Sequence, residues 1–264
     1  MSPPGEGAAR PARRVTDLLV LCYHAVSDTW PSPAAISTAK LEAQLAYLLR
    51  RGYRPLTLSA ALEESAPRKV VVVTFDDAYV SILRAGLPVL ERLGVPATVF
   101  VPTDAAGEAG LMTWSELAPW AGGAHEHELR CMSWGQLREL AGHGWEIGSH
   151  TCSHPHLTKV GAEQLATELS ASRAACEEEL QRPCATLAYP FGSYDARAIN
   201  AVTAAGYSAA VTLDERIVEP LRGRSPLEVP REAIYRSTGW PIFLAKTSRS
   251  VRRIRVSAAY AALR

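Results

Sequence analysis

The chain has 264 residues, of which 47% are hydrophobic, and a formal net charge of +1 at pH 7. That length and apolar content can bury a full core within one α/β domain, and the near-neutral charge, with no aromatic-basic stripe, excludes the field that gathers nucleic acid. No apolar run approaches the roughly 18 residues needed to cross a bilayer, so no transmembrane segment is expected.

Residues 1–14 are rich in Pro, Ala, Gly and Arg and are expected to form a disordered tail, because they offer too little burial to offset ordering. The following "LLVLC" is shorter than a secretory core and no small-residue cleavage site follows it, so a cytoplasmic location is expected. "LLVLCYH" reads as a strand. "TAKLEAQLAYLLRRG" reads as a helix with Leu41, Leu45, Leu48 and Leu49 on one face and Gly52 at its end. Strand-like runs recur in "VVVVTF", "ATVFV", "WEIGS", "TLAYP" and "SAAVT". Helical patterns over 79–93, 133–141, 162–180 and 195–205 lie between them, with Ser133 and Asp195 as N-caps.

This alternation predicts parallel strands with crossover helices, and six or seven such units fit a closed or nearly closed α/β barrel, which collects function at the C-terminal ends of its strands. His24, Asp76, Asp77, His150 and the run Tyr189-Pro190-Phe191 all stand at such ends. The stretch 104–130, with His125 and His127 in "GGAHEHEL", is expected to be an inserted, solvated loop. The catalytic domain is placed at 15–245. A basic segment, 246–264, follows as a solvated helix, with peripheral membrane contact as the sharper alternative. The five cysteines are odd in number and lack CxxC spacing, which suits a reducing compartment; Cys152, between two histidines, is a loop-facing spectator or a soft competitor for metal.

Asp76-Asp77 closes the apolar run in "KVVVVTFDD", and two adjacent carboxylates leaving a buried strand need a cation or a shared proton. "GSHTCSHPHL" sets His150 and His154 four apart, so one divalent ion could be held by both imidazoles and one aspartate. Such an ion keeps positions open for water and lowers its pKa toward neutrality, giving a hydrolytic nucleophile. Asp77 is assigned as the ligand and Asp76 as the base. Taken singly, Asp-Asp could instead cap a helix and HxxxH could be a surface pair; their joint placement at strand exits favours the metal site. Zinc is the first choice of ion, and Co, Ni, Fe or Mn suit the same ligands.

"TFDDAY", "GSHTCSHPHLT" and "LAYPFGSYD", in this order and spacing, resemble the polysaccharide deacetylases of the NodB homology type, carbohydrate esterase family four. The likeness runs from about residue 18 to 236, and "LCYHAV" and "RGYRPLTLSAAL" are similar to the poly-N-acetylglucosamine deacetylase branch in particular. The resemblance implies a distorted (β/α) barrel of about seven strands. It implies Asp76 as base, Asp77, His150 and His154 as metal ligands, the Phe191 backbone amide as oxyanion donor, and His24 as the acid that protonates the leaving amine. Tyr189, Pro190 and Tyr194, in the same stretch as Phe191, are expected to bind substrate. Two departures stand out. Ala188 occupies the place of the family's usual motif arginine, for which Arg231 in "EVPREAIY" is a candidate substitute or an ordinary surface residue, and no histidine follows residue 156. His156 is expected at the rim of the site and His143 at the surface. The implied reaction is removal of N-acetyl groups from an amino sugar, polymeric or in a glycoconjugate. A small-molecule deacetylase or amidase on a sugar-containing metabolite and a sugar-binding pseudoenzyme remain as alternatives.

Overall fold

The computed structural model describes residues 15, 17–63, 67–107, 110–213 and 225–256. The expected tail and the last eight residues of the expected C-terminal segment fall outside them.

The strands are β1 (Asp17–Tyr23), β2 (Ala25–Val26), β3 (Ala35–Ile36), β4 (Arg54–Leu56), β5 (Lys69–Phe75), β6 (Ala97–Val101), β7 (Glu146–Ser149), β8 (Thr186–Ala188), β9 (Ala209–Thr212), β10 (Val229–Pro230) and β11 (Glu232–Ala233). The helices are α1 (Thr38–Arg50), α2 (Leu58–Leu62), α3 (Leu87–Leu93), α4 (Trp134–Gly142), α5 (Ala162–Leu180), α6 (Ala196–Ala204), α7 (Trp240–Thr247) and α8 (Arg249–Val256). The main sheet runs β10-β9-β8-β7-β6-β5-β1-β11, with β4 also on β5 and β2-β3 as a separate pair. Every pairing is parallel. Because β10 and β11 are separated by Arg231 alone, the two ends of the path are halves of one segment, and the sheet is a nearly closed barrel with seven positions around the ring.

Continuous apolar strands follow from burial on both faces. Val70 and Val72 of β5 fill the barrel interior with Leu18, Val20, Phe100, Ala188, Val211 and Val229, whereas Val71, Val73 and Phe75 join Leu19, Leu21 and Tyr23 beneath the helices. The β1–β5 register runs unbroken from Asp17 opposite Lys69 to Tyr23 opposite Phe75. The next residues on the two strands, His24 and Asp76, therefore emerge side by side.

Most helices follow the sequence pattern. Ser133 caps α4 in a capping box with Gln136, and the Asp195 carboxylate accepts from the Ala198 amide at the start of α6. The helix expected over 79–93 runs without a break over 80–93, but not as one regular α-helix: Tyr79 makes a bridge to Cys131, Ile82–Gly86 is π-helical, and α3 continues it from Leu87. The segment 104–130 is not simply a solvated loop. It buries Met112, Leu117 and Leu129 and is tied down by a bridge between Leu111 and Arg130. The boundary drawn after 245 cuts through α7, whose Phe243 and Thr247 are buried, and the following helix is not merely solvated. Arg252 of α8 is buried against Asp17 and donates to the Leu18 carbonyl at 2.9 Å, docking α8 on the start of β1.

Candidate metal centre and active site

Asp76 and Asp77 leave β5, His150 and His154 leave β7, and the two exits converge. Asp77 Oδ1 lies 3.6 Å from His150 Nε2 and 3.5 Å from His154 Nε2, and all three side chains are buried. His150 Nδ1 sits 2.8 Å from the Ala188 carbonyl. Only a protonated Nδ1 can donate there, so in the neutral ring Nε2 presents a lone pair toward Asp77. Asp77 Oδ1 is buried without a hydrogen-bond partner, and a lone pair facing a lone pair at this spacing calls for a cation between them. Electrostatics agree. Burial lowers His150 and, with His150 alongside, pushes His154 down to about 2, so both rings are neutral; burial and then the Asp76 charge push Asp77 well above the usual carboxylate range. Two neutral imidazoles and a carboxylate fit a divalent ion.

The backbone at this rim is held in sparsely populated conformations. Asp77 (φ 66°), Ala78 (51°), Thr151 (68°), His154 (60°) and Phe191 (59°) are non-glycine residues with positive φ, each of which costs on the order of 1–3 kcal/mol unless the surroundings impose it. One source of imposition is Glu168 of α5: its carboxylate accepts from the Cys152 amide at 2.8 Å and the Ser153 amide at 2.9 Å, fixing the loop between the two histidines. Cys152 is thereby a spectator, its thiol on the Glu168 carbonyl. Gly192, at φ 65°, completes the turn after Phe191; a Cβ there would stand 2.6 Å from the Leu213 Cβ.

Asp76 is held differently. Arg231, buried at the β10–β11 junction, donates from its two terminal nitrogens to Oδ1 at 2.6 Å and Oδ2 at 2.7 Å, and to Thr74 Oγ1 at 3.0 Å. Burial alone would raise the Asp76 carboxyl, but the Arg231 guanidinium outweighs it and holds the group well below the usual range. The structure thus places a guanidinium against Asp76 from the β10–β11 segment, and not from β8, which carries Ala188. His24 lies at the same rim, its Nδ1 buried without a partner, with burial pushing the ring down to about 4 against the pull of Asp76. Tyr235 stacks over it at 6.5 Å between ring centroids.

Phe191 follows Pro190, and its ring packs edge-on to His154 at 4.7 Å and face-on to His156 at 3.8 Å. Of the residues expected to bind substrate, Tyr189 does not face the rim. It is fully buried, with its hydroxyl donating to the Leu227 carbonyl at 3.0 Å. Pro190 is also buried, and only Tyr194, stacked on Tyr189 at 5.1 Å, is partly exposed. His125 and His127 stand away from the cluster, beside Trp120 and Glu128, and His143 pairs with Glu91 near the surface.

Three further neighbours of the site have no role assigned from the sequence. Trp114, from the 104–130 segment, stacks on His154 at 4.4 Å; Tyr79 is buried, with the Asp77 charge among the causes that raise its hydroxyl; and the Cys22 thiol lies 3.4 Å from Asp76 Oδ2. Tyr79 and Cys22 lie inside the quoted runs "TFDDAY" and "LCYHAV", but no spacing gave them a role, and Trp114 lies outside every motif.

The polysaccharide deacetylase family model matches residues 63–210, more than half of the chain, and the chain belongs to that family. The NodB-type barrel and the metal-capable Asp77-His150-His154 group at its mouth agree with this membership. The chain is similar to YxkH of Bacillus subtilis (strain 168), 27% identical over 202 residues that cover 75% of this chain and 64% of the relative. It is also similar to a poly-beta-1,6-N-acetyl-D-glucosamine N-deacetylase of Staphylococcus aureus (strain MRSA252), 26% identical over 199 residues, covering 70% of this chain and 63% of that protein. The chain therefore spans a little under two thirds of the length of these curated relatives. Among solved structures, IcaB from Ammonifex degensii superposes with a TM-score of 0.70 at 27% identity, over 89% of this chain and 98% of that one.

Proposed function

We propose that this deacetylase-family protein is a divalent-metal-dependent hydrolase that removes N-acetyl groups from an amino-sugar polymer or glycoconjugate. One observation carries the reading: the buried, unpartnered Asp77 Oδ1 faces two imidazole Nε2 atoms, beside an Asp76 locked in a bidentate pair with Arg231. Asp77, His150 and His154 would hold the ion, with zinc the first choice. Bound there, it would polarise the acetyl carbonyl and acidify water.

The chain's own groups divide the remaining work. Asp76, kept ionised and oriented by Arg231, accepts the proton of the attacking water. His24, neutral at rest, has a ring nitrogen within 4.8 Å of an Asp76 carboxylate oxygen, a gap one water can bridge, so it would receive that proton through water and pass it to the departing amine nitrogen. The Phe191 amide, turned by its left-handed backbone beside His154, donates to the oxygen on which negative charge develops. Trp114, Tyr194 and His156 would form the walls that meet the sugar.

The name of the Staphylococcus aureus relative supports poly-β-1,6-N-acetylglucosamine as the first substrate to try. A sugar-binding pseudoenzyme was motivated by Ala188, and the grip of Arg231 on Asp76 favours a working base instead. The test is acetate release from N-acetylglucosamine oligomers and from monomeric sugar conjugates, with and without added Zn, Co, Ni, Fe or Mn. Metal-dependent release from oligomers is expected; release from monomers alone would favour the small-molecule reading, and binding with no release in either set would sink the enzyme.

A further inference from the structure

A second set of metal-capable donors stands next to the first and is chemically unlike it. Cys22 Sγ, a His24 ring nitrogen and an Asp76 carboxylate oxygen all lie within 4.8 Å of one another. Their placement is built into paired strands rather than loops. Cys22 and His24 are two apart at the end of β1 and so share a face, and the parallel register sets Asp76 beside His24, with the Asp76 amide donating to the Tyr23 carbonyl at 3.0 Å. His24 Nδ1 is buried with no hydrogen-bond partner, and the Cys22 thiol, fully buried, has Asp76 Oδ2 as its side-chain partner at 3.4 Å. With metal–sulfur and metal–oxygen bonds of about 2.3 and 2.1 Å, two ligands of one tetrahedral ion stand about 3.6 Å apart, close to the spacing found here.

We propose that Cys22, His24 and Asp76 form a second metal site that takes a thiophilic divalent ion, such as Zn²⁺ in excess or Cd²⁺, and that filling it stops the hydrolase. The thiol proton leaves to solvent as the metal–sulfur bond forms, and because the Asp76 carboxylate already pairs with the Arg231 guanidinium, the thiolate is the one negative charge added against the ion. Arg231 keeps its bonds to Asp76 Oδ1 and Thr74, while the ion takes the side of Oδ2 that now faces the thiol, beside the Arg231 nitrogen that donates to the same oxygen at 2.7 Å. The site with Asp77, His150 and His154 offers only nitrogen and oxygen, so sulfur ligation separates the two. Inhibition follows because the same ion would hold both proton-handling groups, Asp76 and His24; that half of the inference rests on the function proposed above.

The experiment titrates Cd²⁺ into the full chain preloaded with one equivalent of Zn²⁺, following the ultraviolet thiolate-to-cadmium charge-transfer band and bound metal by mass spectrometry. The band should saturate at one cadmium per chain in the wild type and in Cys152→Ala, and be absent from Cys22→Ala. His24→Ala should weaken cadmium binding at least about tenfold. No band in the folded wild type, a band surviving in Cys22→Ala, or unchanged affinity in His24→Ala would overturn the site. Saturation of the band without loss of acetate release would overturn the inhibitory role. A band in a protein that never releases acetate would keep the site while refuting the proposed hydrolase.

Discussion

At the scale of residues, the two neighbouring aspartates have opposite environments, and substitution should separate them. Asp76→Asn is expected to lower turnover by about 10²–10⁴-fold while metal content stays near one per chain, whereas Asp77→Ala should lose the metal; equal metal loss in both would overturn this division. Arg231 decides the ionisation of Asp76. Its guanidinium depresses the carboxyl, so Arg231→Lys, which loses the bidentate fork, should let the Asp76 pKa rise. A base works only when ionised, and the acid limb of the kcat/KM profile should therefore move to higher pH, with kcat reduced. An unmoved limb would remove Arg231 from this role. For His24 the sign is reversed: burial holds the ring down to about 4, so it enters neutral at any pH above that. His24→Ala should lower kcat without removing an inflection near the ordinary histidine value of about 6.5; unchanged turnover would eliminate it as the acid.

At the scale of elements, the strand exits and the segments laid over them set the geometry. The 104–130 segment shapes the site through Trp114, which covers one face of His154. The opposite end of the barrel is closed by the Arg252–Asp17 pair between α8 and β1, with Tyr53 also donating to Asp17 at 2.7 Å. Removing one partner leaves a buried charge uncompensated, so Arg252→Ala should cost about 3–5 kcal/mol in denaturant unfolding with kcat of the folded fraction preserved. A change below about 0.5 kcal/mol would show the pair to be solvated. The sequence reading of α8 as a solvated helix missed this, because a buried arginine looks the same in the sequence as an exposed one until its carboxylate partner, 235 positions earlier, is brought to it.

At the scale of the whole molecule, a barrel whose mouth holds two aspartates, several neutral histidines and strained backbone should gain stability from the divalent ion proposed for it. Ligand binding to the folded state adds RT ln(1 + [L]/Kd), or about 4 kcal/mol at a thousandfold excess over Kd. Chelation should therefore lower Tm and abolish acetate release, and added Zn²⁺ should restore both. Unchanged Tm together with failure to take up any transition metal would overturn the metal centre. Among the described residues no helix is long and apolar enough to cross a membrane.

The alternating apolar runs, the caps at Ser133 and Asp195, and the carboxylate pair and histidine spacing at strand exits were legible in the sequence, because each depends on neighbours within a few positions. They carried the barrel class and the three candidate ligands. Tertiary structure alone decided that Arg231 rather than residue 188 reaches Asp76, that Tyr189 turns into the core, that Cys22 and His24 flank Asp76, and that Glu168 and Trp114 shape the histidine loop. These contacts join residues far apart in the chain. Only the closing of the barrel, through one strand split at Arg231, sets which side chains of separate strands share a face, and local periodicity carries no record of that.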